Sequence, residues 1–258
     1  MYTGFYTAVA GGMAQEKRLN ILTNNLANAT TAGFKADQAV FQVLPPSTVL
    51  GPVAVAEADS PVIMPLDPLA YQHPQKLPEV RTYTDFAQGP LRDTGNPLDV
   101  ALEGQGFFVV ESAGEMFYTR QGTFSLNAEG MLVTQNGQLV QGQQGPIQIR
   151  GAQVDIDRTG QVLVDGKVVE RLKLVEAPAS ALEKVGESLF RSLAPNLAAQ
   201  DASDVVVRQG TIELSNSQLV RLMGSVIQTS RAYEAYQKVI QIYDETAGRA
   251  VRDIAATR

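Results

Sequence analysis

The chain has 258 residues, 44% of them hydrophobic and 19% charged, with a formal net charge of −6. This is an ordinary globular composition, long enough for one or two domains, and it lacks the basic patch of a nucleic-acid binder. Cysteine is absent and histidine occurs once, as His73, which excludes disulfides, thiolate metal sites and the usual multi-histidine metal site.

Residues 3–28 read as a helix. Phe5, Gly12, Leu19 and Leu26 fall seven apart, with Ala8, Gln15 and Leu22 on the adjacent seam, giving one apolar stripe. Gly4, Gly11 and Gly12 each lower helicity by ~1 kcal/mol, so this helix is expected to need a partner. The apolar stretch Ala8–Ala14 precedes Glu16, Lys17 and Arg18. That is the reverse of a secretory signal, whose basic residues come first. No apolar run reaches the ~18 residues of a membrane span. Direct membrane insertion and a cleaved signal are therefore not expected. The chain stays in the cytoplasm or leaves by a route that composition does not reveal.

The segment from Asn28 to Gly33 ends the helix with cap and turn residues. Asn24, Asn25 and Asn28 offer amides that can bond the backbone at a helix end or bridge to a neighbour. Leu26 and Phe34 supply apolar anchors. Physics alone favours a helix cap here, with a contact surface as the other reading. Eight of the thirteen prolines then fall between Pro45 and Pro78, which excludes a regular helix or a central strand. Residues 36–80 read as an extended connector, with His73 exposed within it.

Residues 81–213 are patterned as antiparallel β-structure. Phe107-Phe108-Val109-Val110 reads as a strand. A weak repeat follows. Leu126–Gly130, Leu132-Val133, Asn136-Gly137 and Leu139-Val140 form one copy; Ile156–Gly160, Val162–Val164, Asp165-Gly166 and Val168-Val169 form the second. Asn-Gly and Asp-Gly between apolar runs signal hairpins, because type I′ turns need positive φ. Gly104-Gln105-Gly106 precedes a strand and lacks the third glycine, so it reads as a turn and not a dinucleotide loop. Asp155–Gly160 faintly resembles a calcium loop, but the twelfth position is Gly166 where a bidentate Glu is required. Asp93 and Asp99 read as solvated turn residues. No metal, cofactor or catalytic constellation emerges.

The C-terminal segment from residue 214 carries two heptad seams. Leu219, Val226, Tyr233, Ile240, Ala247 and Ile254 form the first; Leu222, Thr229, Tyr236, Tyr243 and Ala250 form the second. Ser215 or Asn216 can cap its start. About 40 helical residues would extend ~60 Å, and such a stripe needs another helix, its own N-terminal one or a neighbour's. The tyrosines at heptad spacing read as packing residues. The fold class is α+β: residues 1–35 and 214–258 form terminal helices packed as a coiled coil, around an inserted antiparallel β-rich domain.

Four stretches carry a family resemblance. Asn24-Asn25-Leu26-Ala27-Asn28 with Gly33-Phe34-Lys35 resembles the N-terminal signature of bacterial flagellar rod and hook proteins, although Thr23, Ala29 and Ala32 replace more usual residues. Gly89–Val100 resembles the lead-in to that family's β-domain. Gly106–Val110 and Tyr118–Gly122 resemble its first strands. Ser215-Asn216 with Arg231–Ala235 resembles its C-terminal helix. The resemblance implies a non-enzymatic basal-body rod subunit in the periplasmic space that transmits torque. Its implied partners are copies of itself, other rod subunits and the flagellar type III export apparatus, with no cleaved signal peptide. It also implies an assembly interface built from Asn24, Asn25, Leu26, Ala27, Asn28, Gly33 and Phe34, with Leu219, Leu222, Val226, Tyr233, Tyr236, Ile240 and Tyr243. Length and the Gln237–Ile240 ending are most similar to the proximal-rod branch, with the distal-rod branch next. A competing reading from another class is a secreted β-domain that binds or hydrolyses polysaccharide. It is disfavoured because the chain has no tryptophan and no readable carboxylate pair.

Overall fold

A computed structural model describes residues 2–43, 78–186, 188–193, 200–202 and 205–256. Residues 44–77, which hold most of the Pro-rich connector and His73, lie outside the described residues. The protein is α+β, with a helix at each end and a β-rich middle. The described residues divide into two compact units, one within Met1–Thr23, Ala39–Tyr83 and Met223–Arg258, the other within Asn24–Gln38 and Thr84–Leu222.

The first unit holds most of helix α1 (Tyr2–Ala27), most of helix α2 (Leu219–Ala256) and a ribbon of β1 (Asp37–Val43) paired with β2 (Pro78–Thr84). The glycines that weaken α1 are notches for tyrosines. A Cβ on Gly4 would overlap the Tyr243 hydroxyl, and one on Gly11 would overlap the Tyr236 ring. Phe5 meets Tyr243 edge-on, 6.3 Å between centroids. Seven residues forward on α1 correspond to seven residues back on α2, so the two helices run antiparallel. Ala8, Gly12 and Ala14 are buried, whereas Tyr6 and Met13 are exposed. The buried face of α1 is thus built from small residues more than from the large apolar ones. The Lys17 ammonium donates to the Val80 carbonyl at 2.6 Å, tying α1 to β2. Helix α2 starts at Leu219, and the Leu222 amide bonds the Gln218 carbonyl. Ser215 and Asn216, expected as its cap, are used elsewhere.

The second unit contains β3 (Leu91–Asp93), β4 (Val100–Glu103), β5 (Phe107–Ser112), β6 (Glu115–Thr119), β7 (Phe124–Leu126), β8 (Leu132–Thr134), β9 (Leu139–Val140), β10 (Val154–Ile156), β11 (Gln161–Val164), β12 (Lys167–Arg171), β13 (Leu174–Glu176), β14 (Leu182–Gly186), β15 (Leu189–Ser192), β16 (Gln200–Asp201), β17 (Val206–Gln209) and β18 (Thr211–Glu213). The main sheet runs β14-β15-β6-β5-β9-β8-β7, with β13 joining β5 to β16. Strand β5 is central and buried on both faces. Alternate side chains leave opposite faces of a strand, so Phe108 and Val110 enter a large core with Leu102, Leu132, Ile147 and Val162. Phe107 and Val109 enter a smaller one with Val175, Leu182 and Phe190.

The two repeat copies fold by the same device. The Asn127 side-chain oxygen accepts the amides of Glu129 and Met131. The Asp157 carboxylate accepts those of Thr159 and Gln161, and the Thr159 hydroxyl. Burial works against the Asp157 charge, but these hydrogen bonds and nearby Arg171 outweigh it and hold the carboxyl below its usual range. Asp165 and Gly166 both adopt positive φ, 50° and 79°, as a type I′ turn requires. At the other expected hairpin only Gly137 does so, so that turn is of a different type.

The segment entering this unit pairs with the segment leaving it: β3 with β18, and β4 with β17. Asp99 is buried here and not solvated. It accepts from the Thr94 hydroxyl at 2.7 Å and the Asn96 amide at 3.1 Å, while Asp93 accepts from Thr211.

Candidate functional site

The site is a clasp, wholly inside the second unit, that holds residues 24–38 against strand β18 and residues 85–87. It begins where α1 stops. The backbone and side-chain amides of Asn28 both donate to the Asn24 carbonyl, at 3.1 and 3.0 Å, and Asn28 accepts from the Thr31 hydroxyl. Asn25 is buried. Its side-chain amide donates to the Asp37 carbonyl at 2.6 Å and its oxygen accepts the Asp37 amide at 2.9 Å. An asparagine thereby supplies both bonds that a neighbouring strand would otherwise make.

Gly33 turns the chain at φ +67°. A Cβ there would strike the backbone of Arg120 and Gln121. Its amide donates to the Glu213 carbonyl at 2.8 Å. Phe34 is buried, with the Lys184 ammonium 3.9 Å from its ring centroid. That ammonium also reaches the Lys35 carbonyl at 2.7 Å and the Asp37 carboxylate at 3.0 Å. Burial lowers the Lys184 pKa against the pull of Asp37.

At the centre, Lys35 donates to Glu213 Oε1 at 2.7 Å, with both side chains 1% exposed, and to the Ala87 carbonyl at 2.8 Å. The Gly89 amide donates to the same Oε1. Arg120 faces Glu213 Oε2 at 3.3 Å and bonds the carbonyls of Leu102 and Gly104. Burial lowers the pKa of Lys35 and of Arg120, and Glu213 opposes the shift in both. Asn216 completes the clasp. It accepts the Ala36 amide at 2.8 Å and donates to the carbonyls of Asp85 and Ala87. The arrangement is a buried set of charges and amides that fixes three chain segments together, with Arg120 Nε left without a partner. Among the described residues no group of His, Cys, Asp or Glu could hold a metal ion.

Of the residues singled out in sequence, Asn25, Gly33 and Phe34 are buried in the clasp, Leu26 and Asn28 are half-buried beside it, and Asn24 and Ala27 are exposed. On α2, Leu219 is exposed, while Leu222, Val226, Tyr233, Tyr236, Ile240 and Tyr243 are half-buried. Sequence reasoning passed over Glu213 and its pairing with both Lys35 and Arg120, Asn216 as a bridging amide, and Lys184. One signal was present: Glu213 stands between the apolar Ile212 and Leu214 in a strand, where a charge needs a partner.

Three family comparisons match in chain order. The basal body rod protein family matches residues 5–35, the flagellar hook protein FlgE/F/G D1 domain matches 101–164, and the C-terminal domain of the basal body rod FlgEFG proteins matches 208–253. The chain is 33% identical to the flagellar basal-body rod protein FlgF of Caulobacter vibrioides, over 97% of each chain. It is 31% identical to FlgG of the same organism, over 93% of this chain and 94% of that one. It is also 31% identical to FlgF of Escherichia coli K12, over 95% of each.

Proposed function

The chain belongs to the flagellar basal-body rod protein family, and from that premise we propose that it is a proximal-rod subunit, assembling through its terminal helices into a hollow shaft that transmits torque. It is a structural protein of the flagellar basal body, not an enzyme, and it assembles with other rod subunits. The observation that carries this reading is end-to-end similarity to rod proteins of the same length. Within one organism, identity to FlgF, at 33%, exceeds identity to FlgG, at 31%, which supports the proximal position over the distal one.

The assembly interface is placed on the terminal segments. Val226, Tyr233, Tyr236, Ile240 and Tyr243 on α2 form a coiled-coil face with α1 and with neighbouring helices, and Leu219, Leu222, Asn24, Leu26, Ala27 and Asn28 are offered to neighbouring subunits. Asn25, Gly33 and Phe34 contribute by fixing the path of the chain as it leaves α1. The subunit is exported through the type III apparatus into the periplasmic space without signal cleavage. A glycine-rich α1, marginal by itself, suits passage as an unfolded chain and ordering on assembly.

Cells lacking the gene are expected not to swim in soft agar. The wild-type gene restores swimming. The double variant Tyr236→Ala, Tyr243→Ala accumulates as protein but does not restore it, because Gly4 and Gly11 then face cavities. Normal swimming of cells without the gene would overturn the reading.

A further inference from the structure

We propose that residues 205–216 are the closing piece of the β-rich unit: the unit does not fold before they arrive, so a chain delivered from its N-terminus stays unfolded until most of it is out. Delivery by synthesis needs no further premise; delivery by export rests on the rod reading above.

The segment brings the first strands of the unit their partners. β17 lies antiparallel on β4, with Val207 opposite Leu102 and Gln209 opposite Val100, and β18 lies antiparallel on β3, with Ile212 opposite Arg92. Among the described residues no other strand pairs with β3 or β4. Without the segment each is a single strand, which does not hold its shape in water. The hairpins of the main sheet, such as β5–β6 and β14–β15, pair close neighbours in sequence and can form early, but a lone hairpin is only marginally stable.

The same segment fills the core and joins its parts. Val205 and Val207 are buried in the large core with Val100 and Leu102. The Val207 amide donates to the Arg158 carbonyl at 3.0 Å. The Gln209 side-chain amide donates to the carbonyls of Pro97 and Val154, both at 2.9 Å. These bonds tie β4 and its lead-in to the sheet β10-β11-β12, whose strands pair only with one another.

Charge sets the timing most sharply. Lys35 and Arg120 are 1% and 4% exposed, and among the described residues Glu213 is the only carboxylate paired with either. It stands 178 positions after the one and 93 after the other. Asp85 acts on Lys35 more weakly, and its oxygens already hold the Ala87 amide and the Gln38 side chain. Burying an unpaired cation is far less favourable than leaving it in water, so both cations oppose collapse until the carboxylate is there. Asn216 then joins Ala36 to Asp85 and Ala87. Closure thus links the first and last parts of the unit, and pairing over such separations is slow to form.

Ribosome-bound chains translated from the full gene test this. They are held through a flexible linker so that Leu193, Asp204, Gln218 or Arg258 is the last residue clear of the tunnel, and they are treated with a protease. Chains ending at Leu193 or Asp204 are expected to be cut within the β-rich unit as fast as an unfolded chain. Cutting should slow by about a hundredfold or more once Gln218 is out. In the released full-length protein, Val207→Asp should bring back fast cutting, whereas Val206→Thr, at an exposed position of the same strand, should not. Resistance already present at Asp204 would overturn the proposal, as would resistance that first appears at Arg258. The readout is folding alone, so absence of the chain from basal bodies would overturn the rod reading and leave the folding result standing.

Discussion

Glu213→Gln is expected to lower the unfolding free energy of the β-rich unit by about 3–5 kcal/mol, the range for removing one partner of a buried ion pair. The carboxylate holds Lys35 at 2.7 Å, the Gly89 amide at 2.8 Å and Arg120 at 3.3 Å. Burial already lowers the pKa of both cations despite Glu213. Without it, two charges remain in a site that water does not reach. The amide can still accept from Gly89, so the loss reports charge and not a missing hydrogen bond alone. Urea denaturation of the full chain measures the effect. In a double-mutant cycle, Lys35→Met should recover part of the loss, because it removes one of the stranded charges. A loss below about 1 kcal/mol, in the range of an exposed surface pair, would contradict this account of the clasp.

Gly33→Ala is the second large effect, with a cost of about 3 kcal/mol. Two causes add. A non-glycine residue at φ +67° carries about 1–2 kcal/mol of left-handed strain, and overpacking adds about 1–3 kcal/mol. The atoms in the way are backbone atoms of Arg120 and Gln121, which cannot swing aside as a side-chain end can. Gly95 is the control. It sits at φ +74° with nothing near its absent Cβ, so Gly95→Ala should show the strain alone. Equal losses at the two positions, in the same denaturation experiment, would remove the collision from the explanation.

The local features of this fold could be read in sequence, and the non-local ones could not. The end of α1 at Asn28, the strand at Phe107–Val110 and the Asx turns at Asn127 and Asp157 depend on residues a few positions apart. The glycines of α1 were legible as weak helix formers, but not as seats for Tyr236 and Tyr243, because that pairing spans most of the chain. The heptads of α2 announced a packing face without naming its partner. Asn216 looked like a helix cap by residue type, yet its amide bridges Ala36 to Asp85 and Ala87. Lys35 and Glu213 are 178 positions apart. Nothing in local pattern joins them, although each stood inside or beside a segment that drew attention. Asp99 shows the opposite error: a turn-rich neighbourhood suggested solvent, and the turn itself encloses the carboxylate with Thr94 and Asn96.

The central claim is that this chain is a stoichiometric part of the rod. Quantitative mass spectrometry of purified hook–basal bodies, from wild-type cells and from cells lacking the gene, tests it most directly. The chain should be present in fixed ratio to other rod subunits in the wild type, and its loss should leave basal bodies without a complete rod. Complete basal bodies that never contain it would contradict the account.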